Sequence, residues 1–221
     1  MERVSIPVGD VALQGNLTIP PDAGGIVVFA HGSGSSRHSP RNNYVADVIN
    51  DRGTATLLFD LLTEREDRDR RTRFDVDLLT ERLVGATDWL RERTDTAPLE
   101  VGYFGSSTGA AAALRAAADR PGEIGAVVSR GGRVDMAEGA LSQVRAPTLF
   151  IVGGADHQVL ALNREAHALL RCEKALEVVP GAGHLFEGPG ELKCVADLAA
   201  DWFATHLAPR RSPGTPRRGR L

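Results

Sequence analysis

Residues 99–114 read LEVGYFGSSTGAAAAL. An apolar run of strand length leads into Gly105-Ser106-Ser107-Thr108-Gly109, which spells G-x-S-x-G, and an alanine-rich run of high helix propensity follows. A serine at the tip of a sharp strand-to-helix turn sits in a strained backbone conformation. The residues two before and two after it are small because the chain passes close to itself there. The stretch therefore predicts a strand over 99–104, a nucleophile-bearing turn at Ser107 and a helix over 107–119. No G-K-[ST] follows and the glycine spacing does not fit G-x-G-x-x-G, so the turn is not read as a phosphate loop.

Working outward, the same alternation recurs on both sides. Upstream, 5–8 and 13–19 read as a hairpin about Gly9-Asp10. The unbroken apolar run GIVVFA over 25–30 suits a strand buried on both faces. A helix over 43–52, a strand over 54–59 and a helix over 75–93 follow. The dense charges of 64–73 (EREDRDRRTR) predict an exposed loop. Downstream, strands at 126–129, 148–152 and 175–179 alternate with helices at 138–144, 160–170 and 192–206. Repeated strand–helix units imply an α/β fold with a parallel sheet and helices on both faces. The 221-residue length fits one domain, taken as 1–208. A Pro/Arg-rich tail over 209–221 has almost nothing to bury and is expected to be disordered.

A serine hydroxyl needs a base to take its proton, and the base needs an acid to orient it. Among six histidines, His184 lies in the Gly-rich loop VPGAGHLFEG between the last strand and the last helix, where this architecture delivers its base. Asp156 follows the strand TLFIV through Gly153-Gly154-Ala155 and gives the chain order Ser, Asp, His. Asp135 and Asp60 also follow strands and are the rival acids. For the oxyanion hole, the amide of Thr108 directly follows the nucleophile, and Ser33 in HGSGSS is the second donor, with Gly34 as the alternative. His31 is expected to shape that loop through hydrogen bonds. Four arginines near predicted strand ends, Arg37, Arg41, Arg130 and Arg133, are either solvated surface charges, the simpler reading, or groups that hold a substrate carboxylate, with Arg37 and Arg133 preferred for that part.

HGSG after one strand, GSSTG after another, then Asp156 and His184, resemble the α/β-hydrolase superfamily over nearly the whole chain, from about Arg3 to Leu207. The compact form, without a cap domain, resembles its dienelactone hydrolase branch. The resemblance implies an eight-stranded, mostly parallel sheet and hydrolysis of carboxylic esters or lactones. It departs at one position: the dienelactone enzymes typically carry a cysteine nucleophile where this chain has Ser107, so a general carboxylesterase is the expectation. The interval from Ser129 to Thr148 can hold little more than one short helix and no lid, which predicts short acyl groups. Acyl transfer with the same triad is the alternative, and no metal or organic cofactor is implied.

Composition bounds the partners. The net charge of −3 gives no push toward nucleic acid, and the five arginines of the tail make the body five charges more acidic than that figure. No apolar stretch approaches the roughly 20 residues that span a bilayer, and the N-terminus lacks a secretory pattern. Cys172 and Cys194 are read as free thiols in a reducing cytoplasm. The expected partner is therefore a small-molecule ester, with neither nucleic acid nor membrane involved; oligomeric state is not legible.

Overall fold

A computed structural model describes residues 1–207; the tail expected at 209–221 lies outside the described residues. Eight strands form one sheet in the order β1-β2-β4-β3-β5-β6-β7-β8. The hairpin β1 (Glu2–Val8) and β2 (Val11–Thr18) is antiparallel, and β2 also runs antiparallel to β4 (Ala55–Phe59). From β4 onward every pairing is parallel, through β3 (Gly25–Ala30), β5 (Glu100–Ser106), β6 (Ile124–Arg130), β7 (Thr148–Gly153) and β8 (Lys174–Val179). Burial tracks this division. In β1 buried and exposed residues alternate, as in a sheet with one wet face, whereas β3, β4 and β7 are buried throughout.

The helices are α1 (Pro40–Asp51), the single turn α2 (Arg70–Arg73), α3 (Val76–Glu92), α4 (Thr108–Asp119), α5 (His157–Leu169) and α6 (Glu191–His206). One core layer joins Leu79 and Leu83 of α3 and the alanines of α4 to Val101, Tyr103 and Val127 of the sheet. On the opposite face Val45 and Ile49 of α1 and Val195, Ala199 and Phe203 of α6 cover Val27, Phe104, Ala126 and Val128. The parallel crossovers thus place helices on both faces and leave the carboxyl ends of β3 to β8 at one edge.

Two local expectations are corrected. The segment 64–73 is not a plain loop but a 3-10 turn, Glu66–Arg68, followed by α2. Thr63 and Glu66 cap each other: the Thr63 amide and hydroxyl donate to the Glu66 carboxylate at 2.8 and 2.9 Å, and the Glu66 amide donates back to the Thr63 hydroxyl. Glu66 also pairs at 3.0 Å with Arg82, a buried residue of α3. Burial pushes its carboxyl up, but these donors outweigh it and hold the group below the usual range. The connection after β6 is a 3-10 run over Val134–Gln143, beginning before the expected helix, because Val134, Ala137 and Leu141 are the residues it buries. Nothing larger stands between β6 and β7, and the sheet carries no cap there.

Candidate active site

The end of β5 determines the backbone of Ser107. Its φ of 50° and ψ of −120° lie in the strained region expected of a nucleophile turn. A Cβ at Gly105 would overlap the backbone of Ala110, and one at Gly109 would overlap the carbonyl oxygen of Ala30, so only glycine lets β3, β5 and α4 meet this closely. The Ser107 amide donates to the Arg130 carbonyl at 3.2 Å, and its carbonyl accepts from the Arg133 amide at 3.0 Å. Ser107 is half-buried on this cradle, whereas Ser106 is buried in the strand.

His184 and Asp156 reach the same edge by separate routes. Asp156 stands at the N-cap position of α5, yet its side chain makes no capping bond. Its carboxylate instead lies 2.7 Å from Nδ1 of His184. The Gly153-Gly154 turn permits the approach: the Ala155 amide donates to the Ala182 carbonyl at 2.9 Å, and a Cβ at Gly153 would collide with that oxygen. On the far side of His184, Phe186 takes a positive φ of 54° and buries its ring in the α1/α6 layer. The imidazole packs against Gly131, where an added Cβ would sit 3.3 Å from Cε1. Residue 130 thus meets Ser107 through its carbonyl, and its neighbour Gly131 meets the His184 ring. Asp135 and Asp60, the rival acids, are both engaged by arginine, Asp135 in a two-bond pair with Arg133 at 2.8 and 2.9 Å and Asp60 with Arg37. Their partners are the two arginines preferred from sequence as substrate ligands, so each of these already has a carboxylate of the protein.

The HGSG loop lies directly over the elbow. A Cβ at Gly32 would be 3.1 Å from that of Ser107. The amide of Ser33 donates to the Thr108 hydroxyl at 2.9 Å, tying the loop to the first residue of α4. Below it, the Leu61 amide donates to Nε2 of buried His31 at 3.0 Å, which leaves Nδ1 to donate to the Gly32 carbonyl at 3.0 Å. Burial pushes the His31 imidazole down and keeps it neutral, so its part is to shape the loop. Leu62, Asp67, Arg73 and Leu79 line a narrow cleft of about 10 Å³ with the loop and Thr108. Asp67 and Arg73 of the segment 64–73 therefore stand beside the HGSG loop, a placement that charge density did not reveal; the T-x-x-E pattern at 63–66 was the sign of local structure there. Among the described residues no group of three or more His, Cys, Asp or Glu side chains is arranged to hold a metal.

A parallel sheet wrapped by helices, with a serine on a strained turn and an Asp–His pair at the same edge, defines an α/β-hydrolase. The dienelactone hydrolase family model matches residues 13–206, and the chain belongs to that family. The crystal structure of a dienelactone hydrolase from Anabaena variabilis is 58% identical, covers 93% of this chain and 97% of its own, and superposes with a TM-score of 0.92. Est1E from Butyrivibrio proteoclasticus shares the fold at 15% identity, with a TM-score of 0.80 over 93% of this chain and 99% of its own. A "putative phosphoribosyl transferase" of Mycobacterium tuberculosis is 58% identical over 206 residues, 93% of this chain but 46% of that protein. The chain thus spans less than half the length of the curated relatives it matches.

Proposed function

We propose that this hydrolase cleaves carboxylic esters of small, short-chain acyl groups through an acyl-enzyme on Ser107. The observation that carries the reading is the 2.7 Å Asp156–His184 pair at the edge where Ser107 is held at positive φ. His184 takes the hydroxyl proton as Ser107 attacks the ester carbonyl, and Asp156 orients and stabilises the imidazolium. The oxyanion rests on the amides of Thr108 and Ser33, the latter shared with the Thr108 hydroxyl. His184 then protonates the leaving alcohol, and water repeats the sequence to release the acid. Unpaired Cys172 and Cys194 support a cytoplasmic setting, and no helix among the described residues is long and apolar enough to cross a membrane.

The lack of a cap between β6 and β7 supports the preference for short acyl groups. Each buried methylene contributes only about 0.8 kcal/mol, and an open site has few to bury. Acetate and butyrate nitrophenyl esters should be hydrolysed well, octanoate poorly and palmitate barely. A preference for palmitate over butyrate in matched assays would overturn the size assignment. Ser107→Ala should abolish nearly all hydrolysis, whereas Ser106→Ala should matter far less; the reverse would overturn the nucleophile. Lactone hydrolysis with the same residues is the second reading, favoured by the 58% identity to the Anabaena variabilis dienelactone hydrolase. Acyl transfer is separated from both by product analysis with and without an acceptor alcohol. The transferase name of the mycobacterial relatives attaches to proteins about twice as long, and hydrolysis is assigned here to the stretch they share with this chain.

A further inference from the structure

Arginines around the site are almost all paired: Arg37 with Asp60, Arg41 with Glu187, Arg73 with Asp67 and Arg133 with Asp135. Arg130 is the exception. It is 9% exposed, and its Nε and Nη1 are buried without a hydrogen-bond partner among the described residues. Arg82, similarly buried at 7%, shows the usual solution, since its two terminal nitrogens donate to the Val8 carbonyl and to Glu66. A guanidinium cannot shed its charge near neutral pH, so burying one without an anion is costly. Burial and the repulsion of Arg41 lower Arg130 to about 10, which still leaves it charged.

The place of this orphan in the fold matters as much as its lack of a partner. Arg130 ends β6, and its carbonyl is the one that receives the Ser107 amide. Ala126 and Val128 of the same strand pack into the α1/α6 layer, so strand alternation turns Arg130 toward that side as well. There Arg41, in the first turn of α1, is held by the exposed Glu187, three residues beyond His184. Such an exposed ion pair is worth little and exchanges readily for a better anion. Two guanidinium groups thus converge between the end of β6 and the His184 loop.

We propose that Arg130 and Arg41 form a subsite for a dianionic oxyanion, a phosphate monoester group carried by the ester substrate, seated beside Ser107. Two planar forks match the geometry and charge of a phosphate better than those of a monoanion. The substrate class rests on the serine-hydrolase reading, but the binding itself does not, and the test separates them.

The full chain is melted at constant pH and ionic strength in chloride, acetate or inorganic phosphate. Phosphate at about 10 mM should raise Tm by about 3 °C, as expected for a ligand near tenfold over its Kd, and acetate should do no more than chloride. Arg130→Met and Arg41→Ala should lose the phosphate shift, while Arg115→Ala, on the outer side of α4, keeps it. Unliganded Arg130→Met should melt no lower than the wild type, because the charge it removes has no partner to lose. A phosphate shift retained in Arg130→Met, an equal shift with acetate, no shift in the wild type, or a several-degree loss in unliganded Arg130→Met would each overturn the subsite. Should Arg130→Met not fold, that too contradicts it, and Arg41→Ala and Arg130→Lys measure phosphate binding independently. Phosphate should also slow fluorophosphonate labelling of wild-type Ser107 at least fivefold. Failure of any labelling at Ser107 would count against the serine reading, while the melting shift would still report on the subsite.

Discussion

The elbow at 105–109 and the loop at 181–187 carry the two halves of the proposed chemistry and are held by different means. The elbow is fixed by backbone against backbone: Gly105 on Ala110, Gly109 on Ala30, the Ser107 amide on Arg130. The loop is exposed at His184, Leu185 and Glu187, and is held by the ring of Phe186, the Ala155–Ala182 hydrogen bond and the Asp156 carboxylate. Steric exclusion between backbones leaves Ser107 one position. A few side-chain contacts leave His184 a position that substitution can loosen by degrees. Changes at the elbow's glycines should therefore act on folding, and changes at the Asp156–His184 contact on rate.

The sharpest break of this contrast is Gly109→Ala. Its methyl has no room against the Ala30 carbonyl, and neither backbone can yield without moving β3 or α4. The cost should exceed the roughly 1–3 kcal/mol of ordinary overpacking and appear as a large fall in Tm or in soluble yield. A variant that melts like the wild type would mean the elbow is far more compliant than its contacts indicate.

Asp156→Asn tests the other half. The side chain makes no capping bond to α5, so Tm should hardly change, while kcat falls by roughly 10³–10⁴-fold through the wrong imidazole tautomer. Asp135→Asn should be mild, since that carboxylate is spent on Arg133; a greater loss there would move the acid to the preceding strand. Phe186→Ala lies between the extremes. Losing a buried ring costs about 3–5 kcal/mol in a packed core, and here it should also lower kcat by unseating His184. A change in Tm with unchanged kcat would show that the loop holds His184 without its plug.

The smallest effect concerns pH. The folded protein keeps His31 neutral, below its ordinary 6.5, because of burial, whereas the unfolded chain takes up a proton near that value. Its contribution to stability is therefore full above about pH 6.5 and declines as pH falls through that value toward the folded one. Denaturant melts at pH 7.5 and 5.5 should show a smaller loss for His31→Asn than for the wild type. Equal losses would mean that the imidazole already titrates freely in the folded protein.

What was legible in the sequence follows the same division. The elbow could be read because its requirements are local: strand, small residue, serine, small residue, helix, all within sixteen residues. The sheet could be read because β3, β4 and β7 are buried on both faces and so appear as unbroken apolar runs. Asp156 and His184 were proposed from their place in the strand order, and their side chains do meet, although the glycine contact that brings them together involves residues about thirty apart. The exposure of 64–73 was legible, since none of its residues is buried, but its turn and helix were not, because charge density says nothing about whether an acid meets solvent or, like Glu66, a buried arginine sixteen residues away. Among Arg37, Arg41, Arg130 and Arg133 the sequence offered no ranking by pairing, since that depends on which carboxylate each one meets. The alternation Ala126, Val128, Arg130 was the available sign that one of them points into a packed layer.

Covalent capture tests the central claim, that Ser107 is the nucleophile activated by His184, most directly. The full chain is treated with a fluorophosphonate and the adduct is located by peptide mass mapping. Expected is one adduct, on the peptide carrying Ser107, absent in Ser107→Ala and formed at least a hundredfold more slowly in His184→Ala. An adduct on another residue, or ester hydrolysis that persists in Ser107→Ala, would contradict it.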